Sequence, residues 1–117
     1  MNTEQEVVKI AQYVRETAIS DTIPALESDL NLSIGFGQRI GELLNEAEHN
    51  YFTKRASKLN ELRAMEDETE TIRKTKLDAW VADDKKLYQD LKNIQTHLKA
   101  LRMMLFSAIK SRRQEPY

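Results

Sequence analysis

Residues 42–115 contain neither glycine nor proline. A run of that length excludes a sheet protein, because strands need a turn roughly every eight to twelve residues and turns draw on those two residues. Helix is what remains. As one straight rod it would reach roughly 110 Å at ~1.5 Å per residue. The whole chain of 117 residues has only three Gly and two Pro, too few for a low-complexity disordered segment. Hydrophobic residues make up 40% and charged ones 32%, enough to bury one face of each helix but not a large globular core. The absence of cysteine excludes disulfides and thiolate metal sites and makes the cytosol the expected compartment. The apolar runs are far shorter than a membrane span, and Met1-Asn2-Thr3-Glu4 begins nothing like a signal peptide, so no membrane contact is expected.

The apolar spacing divides the long run in two. Leu87, Leu91, Ile94, Leu98, Leu101, Leu105 and Ala108 recur at alternating intervals of four and three, the seam of a coiled coil. Ile40, Leu44, Ala47 and Tyr51 form an earlier stripe, and Leu59, Leu62 and Met65 resume it after a shift in register. Between the seams lies Met65-Glu66-Asp67-Glu68-Thr69-Glu70-Thr71, with four acids and two β-branched threonines. These residues are the weakest helix formers in the run, and a turn centred near Glu68 is expected there. That turn would bring Trp80 near Ala56, Ile94 near Leu43 and Leu101 near Phe36. It would also set Asp83 and Asp84 near Lys54 and Arg55, so that an acidic notch meets a basic one. A continuous rod is the alternative, since Thr and Glu can extend a helix held by a partner chain.

Upstream, Thr3-Glu4-Gln5-Glu6 has the S/T-x-x-E form of a capping box, and Val7, Ala11, Val14 and Ala18 follow on one helical face. Pro24 interrupts, and all three glycines fall in Ile34-Gly35-Phe36-Gly37-Gln38-Arg39-Ile40-Gly41. The expected architecture is a single all-α unit over 1–117. It comprises an N-terminal helix at 4–20, a loop with short helical turns at 21–37, and an antiparallel hairpin of helices at 38–66 and 71–113. Leu101-Arg102-Met103-Met104-Leu105-Phe106 is apolar on more faces than a hairpin can cover. Met103, Met104 and Phe106 are therefore the expected self-association or partner patch, and a homo-oligomer is expected.

The net charge of −1 conceals a dipole. Residues 1–50 carry three basic and nine acidic side chains, and residues 51–117 carry fifteen and ten, giving −6 and +5. Between Leu91 and Gln114 stand Lys92, Lys99, Arg102, Lys110, Arg112 and Arg113 with no carboxylate. One reading is a footprint for the phosphates of nucleic acid. The other is that cations suit a helix C-terminus and that the acidic half lies against the basic half.

Other constellations carry little chemistry. Gly35, Gly37 and Gly41 have the wrong spacing for a dinucleotide loop and no strand before them, and Gly37 and Gly41 instead permit close helix crossing. Glu46 and His49 form one Glu-x-x-His where di-metal bundles use two. Trp80 and Tyr88 could stack bases, but Trp80 at helical spacing reads as core. No catalytic, cofactor or metal site is assigned, and no enzyme activity is expected.

Two stretches share a likeness. Arg39-Ile40-Gly41-Glu42-Leu43-Leu44-Asn45-Glu46-Ala47-Glu48-His49-Asn50-Tyr51 resembles a "GELL-x-EAE-x-x-Y" segment of small helical proteins encoded by phages and prophages. Tyr88-Gln89-Asp90-Leu91-Lys92-Asn93-Ile94, then Leu98-Lys99-Ala100-Leu101-Arg102-Met103-Met104-Leu105 and Ile109-Lys110-Ser111-Arg112, resembles their C-terminal "Y-x-x-LK…LR…I-x-x-R" helix. The likeness spans about residues 37–113. It implies an accessory protein of an early gene cluster acting in a bacterial cytoplasm, where such proteins sit near recombination and single-strand-binding functions, and it assigns no functional residue. The expected function is therefore binding without catalysis, in support of recombination or replication proteins or on single-stranded DNA. An inhibitor of a host defence system or nuclease is the alternative, and a virion assembly component a further one.

Overall fold

The structure, a computed structural model, describes residues 2–64 and 69–114. They form four helices: α1 (Thr3–Glu16), α2 (Ile23–Arg63), α3 (Glu70–Trp80) and α4 (Ala82–Gln114). The expected turn at 65–71 falls largely outside the described residues, but its consequence is plain on both sides. Leu62 of α2 is fully buried against Leu77 and Val81, with Trp80 packed on the same cluster. The chain therefore doubles back, and α2 and α4 lie side by side in opposite directions along most of their length.

The matched notches meet. Lys54 Nζ lies 2.8 Å from Asp84 Oδ2. Lys58 Nζ sits 5.2 Å from the centroid of the Trp80 ring, a favourable placement of a cation over a π face. Ile94 packs into the same cluster as Leu43. Leu101 stands level with Phe36, since a Cβ on Gly37 would meet Leu98 and Arg102, and its own packing is with Leu26, Leu105 and Ile109. Phe36 instead turns toward α1, its ring 4.8 Å from that of Tyr13.

The N-terminal helix ends at Glu16 rather than residue 20. Thr17 adopts an extended backbone and its Oγ1 donates to the Tyr13 carbonyl, closing the last turn. Its cap lies one residue earlier than expected. Asn2 Oδ1 accepts from the Gln5 amide at 2.8 Å while Gln5 Oε1 accepts from the Asn2 amide at 3.1 Å. Asparagine caps better than threonine, and Gln5 supplies the reciprocal acceptor.

The loop expected at 21–37 is corrected to helix from Ile23 onward. Pro24 occupies the first turn of α2, where its missing N–H costs nothing. The helix then passes through all three glycines, none with a positive φ. Each glycine costs about 1 kcal/mol of helix propensity. Burial offsets this: Leu26, Ser33, Ile40, Leu43 and Ala47 share one helical face, and fully burying a Leu or Ile contributes about 1.5–3 kcal/mol. Ser33, also fully buried, donates to the Leu30 carbonyl at 2.7 Å, so its hydroxyl is satisfied.

The second arm of the hairpin, by contrast, is two helices, not one over 71–113. Val81 leaves helical geometry with φ −106° and ψ 6°. Its side chain is only 2% exposed, and Asp83 and Asp84 follow in the first turn of α4, where carboxylates suit the helix dipole. The chain is a thin slab of 77 × 27 × 18 Å with a radius of gyration of 20.4 Å, against roughly 13 Å for a compact domain of this length.

Candidate functional site

Helix α1 covers one side of the α2–α4 pair, and that placement decides which side stays open. Ile10 is buried in the cluster of Ile40, Leu43, Leu91 and Leu98. The Tyr13 hydroxyl donates to the Asp29 carbonyl at 2.9 Å, and burial pushes its phenol above the ordinary value. Arg39 Nε donates to Glu6 Oε2 at 2.6 Å and its Nη1 to Glu42 Oε2 at 3.0 Å. The hydrogen bond from Arg39 holds the Glu6 carboxyl below its usual range, and the bond to Glu6 raises the Arg39 guanidinium. Between α1 and α2 a groove of about 720 Å³ remains, with Ile10, Leu32 and Phe36 apolar and the Glu6–Arg39 pair, Lys9 and Asn31 polar. On the other flank of α1, a groove of about 540 Å³ is lined by Ala11, Val14, Ile94, His97, Leu101 and Met104.

This splits the expected patch. Residues of a helix turn by about 100° each, so Met103 and Phe106 fall one way from the buried Leu98–Leu105 seam and Met104 the other. Met104 faces α1 across the second groove. Met103 and Phe106, 72% and 61% exposed, stand on the side of the hairpin away from α1. Lys92, Lys99, Phe106 and Arg113 recur there every seven residues, with Met103 and Lys110 beside them.

The six candidate cations separate in the same way. Arg112 Nη2 lies 3.1 Å from Asp21 Oδ1, and Arg113 Nη2 contacts Glu27 Oε1. The basic C-terminus of α4 thus rests against the acidic residues around the start of α2, as the second charge reading expects. Surface pairs of this kind contribute little to stability. Lys92 Nζ lies 5.0 Å from the centroid of the Tyr88 ring. Arg102 is half-buried, and a Cβ placed on Gly37 would meet its Nη1 at 3.6 Å. Lys99 and Lys110 are exposed, one turn to either side of Met103 and Phe106; among the described residues no ion pair engages either.

Sequence reasoning missed the half of this face that α2 supplies. Glu27, Ile34, Gly41 and Glu48 recur every seven residues on the side of α2 next to the Met103–Phe106 row. Ile34 is 39% exposed and Phe52, four residues past Glu48, is 51% exposed. Assigning 21–37 to a loop cut that row in half and hid it. Phe52 continues into an aromatic group in which Tyr51 and Tyr88 stack with centroids 6.1 Å apart.

Other candidates find structural places. Trp80 belongs to the core cluster near the turn. Glu46 and His49 are both exposed, and no group of three or more metal-binding side chains occurs among the described residues. No described helix is long and apolar enough to cross a membrane. Comparisons with protein-family models, curated proteins and solved structures give no match to this chain.

Proposed function

We propose that the protein works by binding rather than catalysis, through the face of the hairpin opposite α1. The observation that carries this is the pair of large apolar side chains, Met103 and Phe106, standing mostly in solvent between Lys99 and Lys110. An apolar centre with a polar rim is the anatomy of a protein-docking surface, and aromatic side chains at such centres dominate the binding energy. The partner is a protein with an apolar, acidic-rimmed surface. The resemblance to phage-encoded helical proteins implies that the assembled protein in turn serves recombination or replication factors, or inhibits host defence factors.

A second reading, single-stranded DNA, is favoured by one observation: α4 carries no carboxylate from Leu91 to Gln114. Phe106 would stack a base while Lys92, Lys99, Arg102 and Lys110 follow the backbone. The engagement of Arg112 and Arg113 by Asp21 and Glu27 weighs against it.

Titrating binding against salt separates the two. Protein docking predicts that Phe106→Asp removes binding to a captured partner while Lys99→Ala with Lys110→Ala weakens it severalfold at most. DNA binding predicts an affinity that falls steeply with salt, with a log–log slope reduced by roughly one unit for each cation that contacts phosphate and is removed. No retention of single-stranded oligonucleotide at low salt ends the second reading. Unchanged partner binding by Phe106→Asp ends the first.

A further inference from the structure

We propose that the open face is occupied by a second copy of this chain, paired about a two-fold axis parallel to the helices. The inference rests on the reading of that face as a docking surface and names its occupant. The first ground is area. The chain exposes 8411 Å², whereas a compact monomer of 13.6 kDa exposes roughly 6,600 Å². The excess, about 1,800 Å², is of the order that each partner of a large, obligate interface buries.

The second ground is the match of charge with depth. Contacts within the hairpin fix which residues stand level. Gly37 is level with Leu98 and Arg102, Glu27 with Arg113, and Lys54 with Asp84. Ile34 therefore stands level with the turn that holds Met103. An axis parallel to the helices preserves depth and sets α2 of one copy against α4 of the other. Ile34 then meets Met103 of the second copy, apolar on apolar. Glu27 comes level with Lys110 of the second copy, and Glu48 falls within a turn of its Lys92. From Glu27 to Phe52 the α2 row has carboxylates and no cation, while the α4 row has cations and no carboxylate. The other two-fold, perpendicular to the helices, would lay α4 on α4 and press Lys99 against Lys110. Like charges held opposite one another are unfavourable. Charge therefore selects the parallel axis.

One glycine agrees with this arrangement. Gly41 lies on the open face in ordinary helical geometry, and a Cβ added there meets nothing within 4 Å. Its own chain makes no use of the space that this helix-weakening residue leaves. A helix of the second copy, crossing at about 8–10 Å between axes, would use it. The assembly is then a four-helix antiparallel bundle of two hairpins, with α1 of each copy on the outside.

The test is the mass of the full chain by sedimentation equilibrium, from about 1 to 100 µM, with variants chosen to leave the monomer intact. Wild type should sediment at twice 13.6 kDa. Phe106→Asp and Gly41→Leu should each raise the dissociation constant at least roughly tenfold, with helicity by circular dichroism unchanged. Mixing Ile34→Cys chains with Met103→Cys chains under oxidising conditions should give a covalent dimer, and Met103→Cys chains alone should give none. A monomer at every concentration overturns the self-pairing. If Phe106→Asp then still abolishes binding to a captured protein, the docking face stands with a different occupant; if it does not, both readings fall together. A dimer unaffected by either variant, or a crosslink between two Met103→Cys chains, also overturns the proposal.

Discussion

Truncating Leu105 to alanine is expected to lower the free energy of unfolding by about 2–5 kcal/mol. Leu105 is fully buried among Leu26, Leu101 and Ile109, at the end of the hairpin farthest from the turn. Its loss removes the transfer free energy of its methyl and methylene groups and leaves a cavity that two rigid helices cannot collapse to fill. Total stability of a domain is typically about 5–15 kcal/mol, so a thin slab with three small clusters should approach its melting limit. The neighbouring Phe106, 61% exposed, supplies the control. Phe106→Ala in the monomer should change unfolding by no more than about 0.5 kcal/mol. Urea titration followed by circular dichroism, at concentrations below any association, reads both values. Equal losses for the two variants would mean that Phe106 is core and that the open face does not exist.

The second large effect concerns α1. With 14 residues, α1 is at the lower limit of length for a helix that stands alone in water, so its order depends on docking. Ile10, 2% exposed, is the side chain that reaches the hairpin core. Ile10→Asp would strand a carboxylate among Ile40, Leu43, Leu91 and Leu98, at a cost of several kcal/mol. The cheaper response is for α1 to leave. Hydrogen exchange should then show α1 amides unprotected while those of α2 and α4 at Leu43 and Leu98 stay protected. Acid should loosen the same helix reversibly. The Glu6 carboxyl, held by Arg39, has a folded-state value below its ordinary 4.5. Its contribution is therefore fully present above that ordinary value and is lost as pH falls through the depressed one. The Glu6→Gln variant should remove this acid dependence of α1 protection. Loss of protection throughout the hairpin in Ile10→Asp would contradict an independently packed α2–α4 pair.

The hairpin was legible because two signals agreed. The alternating four-three spacing from Leu87 to Ala108 identified a helix with one buried seam, and the Lys54–Asp84 pairing followed from folding at Glu68. The path of α2 was not legible. Pro24, Gly35, Gly37 and Gly41 argue locally for a break, and only the tertiary burial of Leu26 and Ile40 outweighs them. Local propensity is worth about 1 kcal/mol per glycine, less than one buried leucine. The break at Val81 carried no signal, since neither glycine nor proline marks it. At the candidate site, the exposed Met103 and Phe106 were foreseen together with Met104, but their division to opposite flanks required knowing where α1 lies. Ile34 lay in the segment read as a loop, so the row it forms with Gly41 along one continuous helix was not legible.

The open face and both grooves beside α1 exist only if α2 and α4 run side by side. Spin labels on cysteines at Glu46 and Asp90, both exposed, test this by dipolar distance in chains diluted with unlabelled protein. Helices packed at roughly 8–10 Å between axes, with flexible label arms, should give a single distance below about 25 Å. A continuous helix would hold the two labels about 66 Å apart at ~1.5 Å per residue, and a distance near that value would contradict the account.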